Sequence, residues 1–285
     1  KMKVGIVGLG LIGGSFAKAL KAYTQNEVYG FDKSDLVLKS AILETAVDGV
    51  LNEENLSDCN VLLLALYPSA CVEYLKENAA RLSKQTVVID LCGVKRAVCG
   101  PCLEIAREYG FQYVGGHPMA GTQTSGFRSS RPTMFKNASM IYVLDRQDNI
   151  VLMEQLKKFA LSVGFSKVVF SSAEEHDRII AYTSQLAHVV SGAFIKSPSA
   201  ILHKGFSAGS FRDMTRVASL NEELWTELFF DNADNLLREL NGLIASLCEY
   251  QQALQHGDRD QMLLLLREGR ERKMLSDQSV SKAEK

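Results

Sequence analysis

"KVGIVGLGLIGGSFAKAL" occupies Lys3–Leu20, and its reading decides the fold. Val4, Ile6 and Val7 are β-branched and predict a short buried strand. From Ser15 onward, Phe16, Ala19 and Leu20 recur at helical spacing. Gly8, Gly10, Gly13 and Gly14 crowd the junction. In Gly8-x-Gly10-x-x-Gly13 the first glycine permits a tight turn, and the second lets backbone approach a pyrophosphate. The third lets helix and strand pack closely. Leu11 and Ile12 belong to the same expected cofactor loop. The first helical N–H groups lack internal partners and point at the anion.

That spacing is common by itself, so its surroundings matter. "EVYGFD", Glu27–Asp32, reads as a second strand ending in an acid 19 residues after Gly13. A carboxylate there accepts hydrogen bonds from the adenosine ribose hydroxyls and repels a 2′-phosphate, which favours NAD over NADP. Lys33 follows directly and softens that preference.

Composition narrows the class. The chain has 285 residues, is 46% hydrophobic and carries a formal charge of −1. That balance fits one large or two ordinary globular domains and gives no basic surface for nucleic acid. The apolar run "NVLLLALYP" is too short to span a bilayer, and the start of the sequence shows no signal-peptide layout. No membrane association and a cytoplasmic location are therefore expected. Cys99-Gly-Pro-Cys102 has CxxC spacing, but no second pair or close histidine pair completes a zinc set. Reduced thiols and no metal are expected.

The first half alternates strand and helix patterns. Strands are predicted at 3–7, 28–31, 61–66, 86–90, 112–114, 139–144 and 168–170, and helices at 35–43, 70–82 and 98–108. This predicts an α/β, Rossmann-like dinucleotide-binding domain over residues 1–171. Ser172-x-x-Glu175 has capping-box spacing before an apolar-periodic run, and long helical patterns follow at 221–248 and 258–275. An all-helical substrate and dimerisation domain is thus predicted over 172–285, with a frayed tail from Ser276.

Three more stretches carry chemistry. In "YVGGHPMAGTQTSGF" (Tyr113–Phe127), His117 follows a strand and a glycine pair. A loop there lies on the ligand side of an open α/β sheet, where a histidine accepts a hydroxyl proton while hydride leaves the adjoining carbon. In "TSQLAHVV", Ser184 and His188 are four apart and share a helix face. In "GSFRDMTRVAS", Arg212 and Arg216 are likewise four apart, with Asp213 between them to hold an arginine in place. Guanidinium forks suit carboxylates.

The order GLGLIGGS, GFD, DLCGVKR, GGHPMAGT, TSQLAH, FRDMTRVAS and Trp225 resembles the prephenate dehydrogenase family, which includes arogenate dehydrogenases. The resemblance runs from Lys3 to about Leu275. It implies NAD-dependent oxidative decarboxylation of prephenate to 4-hydroxyphenylpyruvate, on the route to tyrosine, by a homodimer joined through the helical domain. It implies that His117 is the catalytic histidine bonded to the ring hydroxyl. His188 and Arg216 correspond to substrate ligands, with Arg216 facing a carboxylate, and Arg212 stands where relatives carry lysine or arginine. Thr122, Gln123 and Ser184 complete the expected substrate set. Many members read D-x-G-S-x-K where this chain reads Asp90-Leu-Cys-Gly93-Val-Lys95. Gly93 thus replaces a serine that shares the hydroxyl contact. Water or another side chain takes that contact, or His117 works alone. An acid stands at the position of Gln123 in many relatives, and the amide here favours prephenate over arogenate. Three alternatives remain: an arogenate or cyclohexadienyl dehydrogenase, another two-domain dehydrogenase or imine reductase, and a non-catalytic NAD-sensing regulator.

Overall fold

The computed structural model describes residues 1–145 and 149–283. The predicted first strand is β1 (Lys3–Val7), and the glycine turn leads into α1 (Leu11–Tyr23). β2 (Glu27–Phe31), α2 (Asp35–Leu43), β3 (Gly49–Val50) and β4 (Val61–Leu64) follow. Then come α3 (Pro68–Asn78), β5 (Val87–Asp90), α4 (Arg96–Tyr109), β6 (Gln112–Pro118) and β7 (Ser139–Val143). α5 (Ile150–Ser162) and β8 (Lys167–Ser171) end the sheet. The strand order is β3-β2-β1-β4-β5-β6-β7-β8, and all neighbours are parallel except β6 and β7. The expected α/β Rossmann-like domain is therefore present. The chain leaves β1 in one direction and returns to β4 on its other side, which opens a crevice at the strand C-termini.

Both faces are buried, and the strands alternate between two cores. Val4, Ile6, Leu63, Ile89 and Val114 pack with α1, α2 and α5, whereas Val7, Leu62, Leu64 and Val88 pack with α3 and α4. The central strands β1, β4 and β5 are apolar on both sides, as a sheet covered on both faces requires, whereas edge strand β8 exposes Lys167 and Val169. Phe16 of α1 packs against Phe135 and Phe165, with ring centroids 4.4 and 5.9 Å away, and these two rings stack on each other at 4.6 Å.

Two-residue β3 escaped the sequence reading because it is too short to show a period. β6 runs on past Val114 to Pro118, so His117 lies on a strand and not in a loop. Antiparallel pairing causes this extension: Gly116 faces Tyr142 and His117 faces Ile141.

After β8 the chain is helical: α6 (Ala173–Ile180), a π-helical turn (Ala181–Leu186), α7 (Ala187–Phe194) and α8 (Gly209–Thr215). α9 (Glu222–Asp231), α10 (Ala233–His256) and α11 (Arg259–Ala283) complete it. The single helix predicted over 221–248 is broken at Asn232, whose backbone leaves helical geometry. Its buried amide donates to the Asp177 carbonyl and Gln185 Oε1, both at 2.8 Å, so tertiary bonds fix the break. The tail expected to fray is helical to Ala283, and residues 284–285 lie outside the described residues.

The last strand, β8, ends at Ser171 and α6 begins at Ala173. By compactness, however, the chain divides into Lys1–Ala233 and a unit beginning at Asp234. The helices up to Ala233 are tied to those that flank the sheet by long-range bonds, such as Ser69 N–H of α3 to Glu227 of α9 at 2.6 Å. The second unit, α10 beyond Ala233 with α11, exposes Leu237, Ile244, Leu247 and Leu254 along one helix. No helix among the described residues is long and apolar enough to cross a membrane.

Candidate active site

The glycine turn has the geometry its spacing predicts. Gly8 has φ +87°, which only glycine adopts without strain, and a Cβ there would overlap the Ala65 carbonyl. A Cβ at Gly13 would overlap the Gly8 carbonyl oxygen, so α1 can approach β1 only with glycine at that position. Gly10 differs, because a Cβ there would meet nothing within 4 Å. Open space above a bare backbone at a helix N-terminus is what a pyrophosphate needs. Leu11 and Ile12 form the first turn of α1 and are half-buried.

Asp32, also half-buried, closes the far side of this turn. It accepts Leu9 N–H at 2.8 Å with one oxygen and Ser34 N–H at 2.9 Å with the other. A carboxylate has about four lone-pair directions, so acceptor capacity remains for a diol. Lys33 is exposed and lies next to it.

His117 does not stand alone. Its Nδ1 is 2.8 Å from Nε2 of His176, and Nδ1 of His176 is 2.7 Å from Oδ1 of Asp177. Asp177 also accepts Lys95 N–H at 2.8 Å and Arg96 N–H at 2.9 Å, and so caps α4 from 82 and 81 residues away. Burial opposes charge on Asp177, but the bonds from His176 and those backbone groups outweigh it and hold the carboxyl below its usual range. Burial, reinforced by His176 and Lys95, depresses His117 well below an ordinary histidine. Burial depresses His176 too, against the opposing pull of Asp177.

A second buried group supports the strand beneath His117. Lys95, fully enclosed, pairs with Asp90 and donates to the Gly116 carbonyl at 2.6 Å. Burial works against its charge, but the Asp90 carboxylate holds its pKa above the usual lysine value. Tyr113 donates to the other Asp90 oxygen at 2.6 Å. Gly93 faces Leu228 of α9, and a Cβ there would touch only its methyl carbons at 3.4 Å.

The structure brings most of the predicted substrate residues together. His188 donates from Nδ1 to the Ser184 carbonyl at 2.8 Å and stacks on Trp225 with ring centres 3.9 Å apart. Its pKa is lowered first by burial, and the nearby Arg216 charge adds to the effect. Ser184 lies in the π-helical turn, so it meets His188 through its carbonyl and not through a regular helix face. Gln123 reaches Arg216, donating from Nε2 to its carbonyl at 2.8 Å. Thr122 is turned toward its own loop, with Oγ1 donating to Thr124 O at 2.8 Å. Arg212 lies in α8 and Arg216 caps it, both exposed. The predicted hold by Asp213 is not made: among the described residues it pairs with neither arginine. All three side chains stand in solvent, where such pairs gain little.

His176 and Asp177 were missed by the sequence reading. Their signal was an adjacent His-Asp pair, hidden in a stretch read only as a helix start. Cys99 and Cys102 of the CxxC pair are buried free thiols, and burial pushes Cys99 up to about 12. Among the described residues no three metal-ligating side chains converge.

Comparison with known proteins agrees with this geometry. Residues 16–169 match the prephenate dehydrogenase nucleotide-binding domain, and residues 172–268 match the prephenate dehydrogenase dimerization domain. Cyclohexadienyl dehydrogenase of Zymomonas mobilis is 31% identical over 91% of both chains. The crystal structure of Aquifex aeolicus prephenate dehydrogenase with hydroxyphenyl propionate and NAD+ superposes with a TM-score of 0.83. It is 26% identical and covers 96% of this chain and 98% of that one. Synechocystis arogenate dehydrogenase superposes at 0.79 with 25% identity, over 96% of this chain and 100% of that one. The chain is an enzyme of the prephenate dehydrogenase family.

Proposed function

We propose that the protein oxidatively decarboxylates prephenate to 4-hydroxyphenylpyruvate with NAD. The observation that carries this reading is His117, a buried histidine of depressed pKa on the ligand side of the sheet, in one compact unit with the His188–Arg216 pair. The Gly8–Gly13 turn fits a dinucleotide pyrophosphate, with Leu11 and Ile12 alongside, and Asp32 fits its ribose diol. NAD, when bound, supplies the hydride acceptor.

His117 is neutral at pH 7 and takes the ring-hydroxyl proton as hydride leaves the same carbon. Arg216, with Arg212 nearby in sequence, holds a substrate carboxylate, and His188 donates or accepts beside it. The ring carboxylate loses its charge as carbon dioxide, so useful binding must persist into the transition state. Orientation by Arg216 and His188 therefore matters as much as proton transfer. Thr122, Gln123 and Ser184 border the same site, and the neutral Gln123 suits the keto acid side chain of prephenate.

Use of arogenate as well is a second reading, favoured by the likeness to the Zymomonas cyclohexadienyl dehydrogenase. The exposed apolar stripe of α10 and the matched dimerization domain support a homodimer. The reading includes a cytoplasmic location and no membrane or nucleic-acid partner.

Steady-state NADH formation tests it, with prephenate and arogenate each measured against NAD and NADP. Higher kcat/KM for prephenate with NAD is expected. No turnover of either substrate would end the reading.

A further inference from the structure

We infer that the base of this enzyme is a two-histidine relay, in which the substrate proton is stored on His176 against Asp177 and then handed back. The inference rests on the functional reading above.

Asp177 is ionised and accepts only, so His176 must carry hydrogen on Nδ1. Its Nε2 is then a bare acceptor. The 2.8 Å contact requires His117 to donate from Nδ1. His117 is left with a bare Nε2, the form a general base needs. A carboxylate two residues removed from the substrate thus sets the tautomer of the catalytic imidazole.

The same chain moves charge. As the ring O–H bond breaks, its proton goes to His117 Nε2. The Nδ1–H bond of His117 breaks and that proton passes to His176 Nε2. Hydride leaves the ring carbon for NAD, and the C–O bond becomes C=O. Loss of carbon dioxide returns an electron pair through the ring to that oxygen. The oxygen recovers its proton as both shifts reverse, giving the phenol. No proton is released overall, so the base stores a proton and has no need of solvent.

The surroundings favour storage on His176. Lys95 from the start of α4 opposes a cation on either ring, and Asp90 of β5 favours one on His176. Asp177 touches His176 and not His117. Arg96 at the α4 N-terminus bonds Asp177 directly, and Asp231 of α9 and Asp177 repel one another. Glu175 of α6 accepts from Ser171 at the edge of a cavity of about 340 Å3 that His176 also lines. An imidazolium at His176 is therefore ion-paired, whereas one at His117 is not.

His176→Gln keeps an acceptor for His117 Nδ1–H but cannot hold a proton. The expected result is a fall in kcat of tenfold or more, with the acid limb of the kcat/KM profile moved to lower pH by about a unit. KM for NAD is unchanged. Asp177→Asn turns its amide toward His176 Nδ1, reverses both tautomers and lowers kcat by roughly 10³–10⁴-fold. A folded Asp177→Asn enzyme with near-normal kcat overturns the relay. So does a His176→Gln enzyme whose acid limb stays in place, and this variant carries the test if the loss of the α4 cap unfolds the other. Wild type that fails to oxidise prephenate defeats the functional reading instead.

Discussion

Gln123 donates its side-chain amide to the backbone carbonyl of Arg216 across 93 residues of sequence, at 2.8 Å. This bond ties the loop after His117 to the segment that carries Arg216, the arginine proposed to hold a substrate carboxylate. It also sets what happens when the amide becomes an acid. An ionised glutamate cannot donate to that carbonyl and is repelled by it, so the charge turns toward the pocket. Gln123→Glu should raise the arogenate-to-prephenate ratio of kcat/KM about tenfold, the effect of one charge-assisted contact of ~1.5 kcal/mol with the arogenate ammonium. Paired kinetics on wild type and variant read this directly, and an unchanged ratio moves the selector elsewhere.

Arg216 is exposed and forms no ion pair among the described residues, so its guanidinium is available to a ligand. Arg216→Ala should raise the substrate KM by roughly ten- to a hundredfold, from a loss of about 1.5–3 kcal/mol, and leave the NAD KM near wild type. Equal movement of both constants would mark the arginine as structural.

The glycine turn separates folding from binding within one loop. Gly13→Ala forces a methyl into the Gly8 carbonyl and should cost about 1–3 kcal/mol of stability, seen as a lower Tm without ligand. Gly10→Ala meets open space, so its Tm should stay close to wild type while the NAD KM rises sharply. Reversal of that order would contradict the pyrophosphate assignment.

Three histidines with depressed pKa values link stability to pH. His117, His176 and His188 are lowered in the folded chain, mainly by burial. The unfolded chain binds protons at these groups near pH 6.5, where the folded chain does not. Stability from this source is complete above about pH 6.5 and declines as pH falls toward the folded values. Thermal melts between pH 8 and 5 should show a falling Tm, and His188→Gln should flatten the slope.

The glycine turn was legible in the sequence because its physics is local. Gly8, Gly10 and Gly13 act on backbone atoms within a few residues, and Asp32 follows at the end of the next strand. Strand and helix periods gave the α/β pattern for the same reason: alternation and 3.6-residue spacing report which face is buried. The positions of His117, His188 and Arg216 were legible through motifs. Their partners were not. His117 meets His176 59 residues later, and Asp177 caps α4 from 82 residues beyond Lys95. No period or spacing encodes such contacts, which exist because the sheet and the helices after it fold into one compact unit. The break at Asn232 has the same origin, since its amide satisfies Asp177 and Gln185 only after packing. The sequence by itself determined the turn, the sheet and the candidate site residues. Tertiary structure alone decided the proton state of His117, because a carboxylate distant in sequence and a second ring between them set the tautomer.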